Sequence, residues 1–276
     1  MTAHQPLPRP VAQPARQRWW VIRGDLPRGA FWALAGAGLL LPVVLWWACG
    51  ALGLTNPMFF PSPDAVLARL GHWWSDEGLV GDIAISVYRV MGGFLASAVI
   101  ALPIGLYIGT YRPVQAFLEP LTDFIRYMPV VAFVPLTILW TGTGDAQKFL
   151  IIWIGTFFQQ VLLVMDNVKS VPTDFVNVGR TLEMSEPKIL TRIILPSAMP
   201  GIWDSLRISL GWAWTWLVVA ELVAATSGLG YRITTAQRFF QTDTIFGYLL
   251  VLGILGLTTD QAFRWLGRVA FPWMKR

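Results

Sequence analysis

The sequence predicts an all-α integral membrane protein with six transmembrane helices. Hydrophobic residues make up 55% of the 276 residues and charged residues only 13%, whereas about a quarter of the residues of a soluble domain are charged. The charges are also unevenly placed, and six windows contain none: 29–63, 90–111, 127–144, 149–165, 208–220 and 244–259. Because a helix needs about 20 apolar residues to cross a bilayer, and one soluble core of this size cannot hide six such windows, we expect each window to span a membrane.

These windows divide the chain into predicted segments. They are an N-terminal tail (1–28), a first transmembrane helix (29–54), an extracytoplasmic segment with an interfacial helix (55–86), a transmembrane core (87–266) that contains a long polar loop (166–207), and a C-terminal tail (267–276). The first four spans are expected at about 30–52, 87–109, 121–140 and 147–165, and the last two around the remaining windows.

Lysine and arginine set the predicted orientation. If both termini are cytoplasmic, 16 of the 21 lysines and arginines lie on the cytoplasmic side, as the positive-inside rule requires. The pI of about 9.7 is therefore a signal of membrane topology. Nucleic acid is not an expected partner, because no basic run is longer than two residues.

Two local patterns describe how the helices pack. Ser62 before Pro63 is typical of a helix N-cap, and an apolar stripe follows it, so a short helix is expected on the membrane surface; the stripe is Val66, Leu67, Leu70 and Trp74. In the second span, a small residue occupies every fourth position, which allows another helix to approach closely. These positions are Gly93, Ser97, Ala101, Gly105 and Gly109.

No catalytic, metal or cofactor site is expected. The only histidines are His4 and His72, and Cys49 is the only cysteine, so neither a metal cluster nor a disulfide framework is predicted. Glu221 is the deepest ionisable residue, and such residues are functional candidates. It is either a hydrogen-bonded structural carboxylate or a gate or pathway residue. Asp260 and Arg264, one turn apart, are expected to pair.

The loop 166–207 is predicted to form two short amphipathic helices. Ser170 and Ser185 are candidate N-caps, each followed two residues later by a proline. In the first helix, Phe175, Val178 and Leu182 recur at helical spacing and are expected to pack beneath the membrane domain. The polar bend at 183–185 is then expected to be exposed to a cytoplasmic partner. The prolines after residue 195 are expected to interrupt the helix before the fifth span.

The segment "NVGRTLEMSEPKILTRIILP" (177–196) resembles the coupling loop of bacterial ABC-importer permeases. Ile193, Leu195 and Pro196 fit the end of that signature, whereas Glu183 stands where glycine is usual. Further matches are "SVYRVMGGF" (86–94), "RYMPVVAFVPLTILWTGTG" (126–144), "ISLGWAWTWLVVAEL" (208–222) and "SGLGYRI" (227–233). Together they are similar to the nitrate, sulfonate, taurine and bicarbonate branch over about residues 58–265.

This resemblance implies the type I ABC importer (MetI-like) fold with cytoplasmic coupling helices. It implies a permease in the bacterial inner membrane with four partners: a second permease chain that forms a homodimer with the first; a cytoplasmic ABC ATPase dimer; an extracytoplasmic substrate-binding protein; and the bilayer. ATP hydrolysis would reside on the ATPase, so this chain is not expected to be an enzyme. The implied coupling residues are Gly179, Arg180, Thr181, Leu182, Glu183, Met184, Ser185, Glu186, Ile193, Leu195 and Pro196.

The substrate class that the resemblance implies is a small anion such as nitrate, bicarbonate or an organic sulfonate. Candidate pathway residues are Arg89, Arg126, Trp212, Trp216 and Glu221. The alternative function is an ion-coupled secondary transporter, which would place discontinuous helices and ion ligands at the midplane. For Glu183, glutamate disfavours the positive φ that glycine adopts freely. We therefore expect Met184 and Ser185 to make the bend, leaving the Glu183 carboxylate for a basic residue of the ATPase.

Overall fold

A computed structural model describes residues 26–76, 78–223 and 225–273, and within them every regular element is helical. The elements are α1 (Arg28–Ala51), α2 (Pro63–Asp76), α3 (Leu79–Thr110), α4 (Arg112–Arg126), α5 (Val134–Thr141), α6 (Asp145–Lys169), α7 (Thr173–Thr181), α8 (Glu186–Ile189), α9 (Leu195–Leu222), α10 (Leu229–Arg238) and α11 (Thr242–Ala270). Most of the predicted N-terminal tail and the last three residues lie outside the described residues.

Four helices are long and apolar enough to cross a membrane: α1, α3, α6 and α11. The bent pair of α4 and the segment Val130–Thr141 makes a fifth if it is counted as one span. The remaining predicted span corresponds to α9, a 28-residue helix whose apolar middle is flanked by Asp204, Arg207 and Glu221. The described residues up to Leu54 form a unit of their own, and α1 in that unit buries none of its residues.

The third predicted span is not a single straight helix. A helix over 121–140 was expected, but α4 ends at Arg126 and a 3₁₀ turn at Val130–Phe133 leads into α5, with a bend of 88°. Pro129 precedes this turn in an extended conformation, and a proline supplies no N–H to continue the helix. The charge-free window concealed this break, because hydropathy does not report backbone hydrogen bonding.

The small-residue stripe of α3 packs against α6, as predicted. A Cβ atom built on Gly105 would lie 2.6 Å from the carbonyl oxygen of Val161, and one on Gly93 would lie 2.7 Å from Cβ of Ile152. Between them, the Ser97 hydroxyl donates a hydrogen bond of 2.7 Å to Gln160. Side chains larger than these would hold the two backbones apart, so the stripe is the seam around which the bundle is built.

We expect Gly105→Leu to lower the amount of folded protein in the membrane several-fold, because backbone atoms of α6 cannot move aside for the new side chain. The measurement is the yield of monodisperse protein after detergent extraction. Gly81→Leu is the matched control, since Gly81 lies on the same helix with no heavy atom within 4 Å of its built Cβ. Equal yields from the two variants would show that the seam is not required.

The predicted interfacial helix exists as α2, and the Ser62 hydroxyl caps it by accepting a hydrogen bond of 3.3 Å from the N–H of Ala65. Its packing face differs from the expected stripe. Val66 and Trp73 are buried, whereas Leu67 is 62% exposed, and Trp73 stacks on Tyr248 of α11 with ring centroids 4.5 Å apart. This helix therefore packs on α11 with a face rotated from the predicted one, because an aromatic partner was available there.

Helix α8 runs into α9 without the predicted break. A π-helical turn at Leu190–Ile194 joins them, and the N–H of Leu195 donates to the carbonyl of Leu190, five residues back. Pro196 follows in the first turn of α9, where a missing N–H is tolerated. The second half of the loop is thus mechanically continuous with the fifth span.

Candidate functional site

A cavity of about 480 Å³ lies where the bend between α4 and α5 faces α6 and α9. Three of the five predicted pathway residues line it: Arg126, Trp212 and Trp216. Gly155 of α6 makes room for the Trp216 ring, because a Cβ at position 155 would meet ring atoms of that tryptophan. The cavity combines one guanidinium with aromatic walls and with the polar side chains of Tyr127, Gln159 and Thr215.

Local contacts hold Arg126 at the edge of this cavity. Its Nε lies 3.1 Å from Oδ1 of Asp123, one turn earlier on α4. Its Nη2 donates a hydrogen bond of 3.0 Å to the hydroxyl of Tyr127, and the guanidinium carbon lies 4.8 Å from the centroid of the same ring. A guanidinium has five N–H donors, so these contacts position the group and still leave donors for an anion.

The other two predicted pathway residues, Arg89 and Glu221, lie elsewhere and pair with each other. Nη1 of Arg89 on α3 is 2.8 Å from Oε1 of Glu221 on α9, and the two side chains are 5% and 0% exposed. Arg89 also lies 2.7 Å from Oδ1 of Asp145 at the start of α6 and donates to the Ser227 carbonyl at 2.7 Å. This buried ionic cluster ties together three long helices at the end of the bundle opposite the coupling loop.

The N-terminus of α10 completes the ionic cluster. The N–H of Gly230 donates a hydrogen bond of 2.8 Å to Oε2 of Glu221, and the N–H of Leu229 donates one of 3.0 Å to Ser86 Oγ. Ser86 in turn donates to Glu221 at 2.9 Å. Unpaired N–H groups and the positive end of the helix dipole favour a carboxylate at this position.

Glycine is required at position 228 for two reasons. Its φ is +105°, a conformation that residues with a Cβ rarely adopt. A Cβ there would also collide with the Glu221 carboxylate. Only glycine, which has no side-chain atoms, allows the loop before α10 to pack closely against the buried Glu221 carboxylate.

A second ion pair holds the same loop from the other side. Asp82 of α3 accepts hydrogen bonds from the N–H of Gly228 at 3.0 Å and from Nε of Arg232 at 2.8 Å. Burial lowers the pKa of Arg232, but the hydrogen bond and charge of Asp82 outweigh it, so the pKa lies above its ordinary value. Arg232 therefore keeps its charge at every accessible pH. No local sequence pattern pointed to Asp82, Ser86 or Asp145, because each lies far along the chain from the groups it contacts.

The bend of the predicted coupling loop is a Schellman motif, in which Glu183 takes the left-handed position. The N–H of Met184 donates to the Gly179 carbonyl at 3.0 Å and that of Glu183 donates to the Arg180 carbonyl at 2.9 Å, the two bonds that define the motif. Glu183 has a φ of +57°. The expectation that Met184 and Ser185 would make the bend is therefore wrong. The two hydrogen bonds hold Glu183 in a conformation that glycine adopts without strain.

Packing in the coupling loop also corrects the predicted faces and caps. Phe175, Val178 and Leu182 are 50%, 56% and 68% exposed instead of packed. The packed face carries Gly179, where a Cβ would lie 2.7 Å from Ile193. That close contact explains the glycine.

Neither predicted serine cap forms as expected. Ser185 occupies the N-cap position of α8 but makes no side-chain capping hydrogen bond. Ser170 instead donates to the Asn167 carbonyl at the end of α6, and α7 begins after Pro172.

The other coupling residues lie around the same bend. Arg180 and Glu186 face each other across it, 3.6 Å apart and more than half exposed, a pair of the kind that contributes little to stability. Thr181 ends α7, and its hydroxyl donates to the Asn177 carbonyl at 2.9 Å. Leu195 and Pro196 open α9. Asp260 pairs with Arg264 at 2.8 Å, as predicted, and also with Arg207 of α9 at 2.7 Å.

We expect Glu183→Gly to stabilise the coupling loop by about 1 kcal/mol, because glycine adopts the left-handed conformation without the penalty that a Cβ imposes. Protection of the loop from limited proteolysis measures this. Glu183→Ala is the control, since it removes the carboxylate and keeps the Cβ. If the alanine variant became as resistant as the glycine variant, backbone strain would not be the cause.

The chain was compared with known families, curated proteins and solved structures. Residues 101–276 match the family described as the binding-protein-dependent transport system inner membrane component. The chain is 35% identical over 86% of its length to the putative aliphatic sulfonates transport permease protein SsuC of Bacillus subtilis, of which 87% is covered. It is 32% identical to the taurine transport system permease protein TauC of Escherichia coli, with 94% of both chains covered. The bicarbonate transport system permease protein CmpB of Synechococcus elongatus is 29% identical over 84% of this chain and 87% of its own.

The fold agrees with a solved structure. An inward facing conformation of the MetNI methionine ABC transporter superposes with a TM-score of 0.64 at 20% identity, covering 69% of this chain and 95% of that one. At this identity the likeness concerns the fold alone, and that fold is the predicted MetI-like one. The chain is therefore a multi-pass membrane protein that belongs to the family of inner membrane permease components of binding-protein-dependent transport systems.

Proposed function

We propose that this permease forms the pathway of an ATP-driven importer for a small anion of the sulfonate, nitrate or bicarbonate class. The observation that carries the proposal is the cavity at the α4–α5 bend, where Arg126 is placed among tryptophan and polar side chains. A single guanidinium can bind an anion that carries a single negative charge through charge-assisted hydrogen bonds. The relatives named for aliphatic sulfonates, taurine and bicarbonate point to the same class of cargo.

In this proposal the exposed apolar stripe of α7 docks on a cytoplasmic ABC ATPase. Phe175, Val178 and Leu182 are each at least half exposed on a polar loop that lies outside the spans. Single exposed apolar residues are ordinary, but three on one face of a short helix are typical of a contact surface. Because α8 continues into α9 through the π turn, movement of the docked loop would be passed directly to the helix that carries Trp212 and Trp216.

The complete importer would contain two copies of this chain, two ATPase subunits and an extracytoplasmic binding protein. Both termini would be cytoplasmic, because that orientation places most lysines and arginines inside. Two of the five cations left outside are paired with carboxylates: Arg89 with Glu221 and Asp145, and Arg232 with Asp82. Chemistry would remain with the ATPase, and this chain would act as the gated pathway.

Uptake assays on whole cells test the substrate class. A strain that lacks its own sulfonate importers is supplied with this permease, its ATPase and its binding protein, and uptake of labelled taurine, ethanesulfonate, nitrate and bicarbonate is compared with uptake of neutral glycerol. We expect one of the anions to accumulate, and Arg126→Gln to reduce that uptake at least tenfold. Accumulation of none of the anions, or full activity of the glutamine variant, would contradict the proposal.

Labelling of single cysteines checks the proposed orientation. In a Cys49→Ala background, Ser185→Cys lies in the exposed coupling loop and Gln241→Cys lies in the exposed turn before α11. We expect a membrane-impermeant thiol reagent added to intact cells to label position 241 and not position 185. Labelling of 185 alone would invert the topology.

A further inference from the structure

Helix α4 carries a continuous polar stripe, although it forms half of a candidate span. The members recur every three or four residues and therefore share one face: Arg112, Gln115, Glu119, Asp123 and Arg126. The opposite face is apolar and exposed, with Phe117 at 80% and Phe124 at 64%. The apolar side of this helix can therefore contact lipid or protein, and the polar side can contact water.

The two ends of the polar stripe of α4 line two different cavities. Arg126, at one end, lines the cavity at the α4–α5 bend. Arg112 and Gln115, at the other end, line a cavity of about 640 Å³ beside the coupling loop. Ionisable groups within a span face the bundle interior or a water-filled route. The stripe therefore places polar side chains along α4 between the cavity at the α4–α5 bend and the coupling loop.

Asp123 competes with any anion for Arg126. It holds Nε of Arg126 at 3.1 Å, and the two side chains are 42% and 31% exposed, so water and solutes reach both. The contacts of Arg126 with the described residues engage its Nε, its Nη2 and the face of its guanidinium. An anion arriving at the cavity meets a guanidinium that is partly engaged by a carboxylate of its own chain.

We infer that Asp123 is a specificity-determining residue of the pathway, which acts as a built-in counter-anion that weakens the hold of Arg126 on the transported anion. This inference rests on the proposed function. Transport needs a site that binds the anion and then releases it, and tight binding at one point slows passage. When the anion leaves towards the coupling loop, the Asp123 carboxylate pairs with Arg126 again. An exposed ion pair contributes up to about 1 kcal/mol, so its removal is expected to change anion affinity by about three- to fivefold.

The experiment measures the preference of the cavity for an anionic over a cationic probe. Thr215→Cys, exposed at the cavity wall, is introduced into a Cys49→Ala chain assembled with its ATPase in nanodiscs. Two methanethiosulfonate reagents of similar size are compared, one with a sulfonate group and one with a trimethylammonium group. The ratio of their rates is recorded for the parent, Asp123→Asn, Arg126→Gln and the double variant. Asp204→Asn is the matched control, because Asp204 also contacts an arginine three residues later, Arg207, outside the cavity.

We expect Asp123→Asn to raise the anionic-to-cationic ratio about three- to fivefold and Arg126→Gln to lower it. Asp123→Asn should have less than half of that effect when Arg126 is already glutamine, which is the coupling that a double-mutant cycle detects. The Asp204 control should leave the ratio unchanged. An equal effect of Asp123→Asn in both backgrounds, or none in either, would overturn the inference. If Arg126→Gln also left the ratio unchanged, the anion pathway of the proposed function would fail as well.

Discussion

Replacing Glu221 with alanine is expected to destabilise this permease by about 3–5 kcal/mol, the range found when one partner of a buried ion pair is removed. Arg89 would keep Asp145 but lose its fully buried partner. The N–H of Gly230 and the hydroxyl of Ser86 would lose their acceptor as well. The consequence is a loosened α10 at the end of the bundle opposite the coupling loop.

Thermal unfolding of the purified protein in detergent measures this loss. Glu119→Ala is the control, because Glu119 forms a partly exposed pair with Lys169, with side chains 27% and 34% exposed, and such pairs contribute little. Replacing both members, as in Arg89→Met with Glu221→Leu, should recover part of the stability since the Arg89 charge is then not left without Glu221. Equal melting temperatures for Glu221→Ala and Glu119→Ala would refute a structural role for the ionic cluster.

The second large effect is expected from a charge placed on the proposed docking surface. Val178→Asp should reduce transport at least tenfold, because a carboxylate in an apolar contact is desolvated without a partner. The permease itself should fold normally, since Val178 is 56% exposed in the isolated chain. Co-purification of the ATPase and uptake of the anion are measured together.

The control for the docking surface introduces the same charge one residue away. Asn177→Asp lies on an exposed position of α7, but about 100° around the helix from Val178. It should retain both the ATPase and transport. Loss of the ATPase in both variants would mean that the charge of the whole loop matters, and retention in both would mean that the apolar stripe is not a docking surface.

Patterns that depend on neighbours along the chain were predicted well. The charge-free windows predicted the long helices, and the four-residue period of small side chains predicted the seam between α3 and α6, because helix packing repeats at that spacing. The pairing of Asp260 with Arg264 follows from the same periodicity. Each of these features is fixed by residues that lie within a few turns of one another.

Features that depend on distant residues or on backbone hydrogen bonds were not predictable in this way. Glu221 was recognised as unusual, but its partner Arg89 lies 132 residues earlier in the sequence, and no periodicity connects them. The apolar residues of α7 correctly predicted a helix but not which of its faces is packed. An apolar stripe of that size can pack equally well against the core of the same chain or against a partner protein. Glu183 adopts a left-handed backbone conformation because the two Schellman hydrogen bonds outweigh the strain of that conformation. The conformational propensity of glutamate alone does not reveal this.

Uptake into proteoliposomes distinguishes an ATP-driven anion pathway from an ion-coupled one. The permease, its ATPase and its binding protein are reconstituted, and uptake of the anion identified in cells is measured with ATP, with a non-hydrolysable analogue, and with a proton or sodium gradient alone. We expect accumulation with ATP only. Accumulation driven by an ion gradient without ATP would contradict it and would identify a secondary transporter instead.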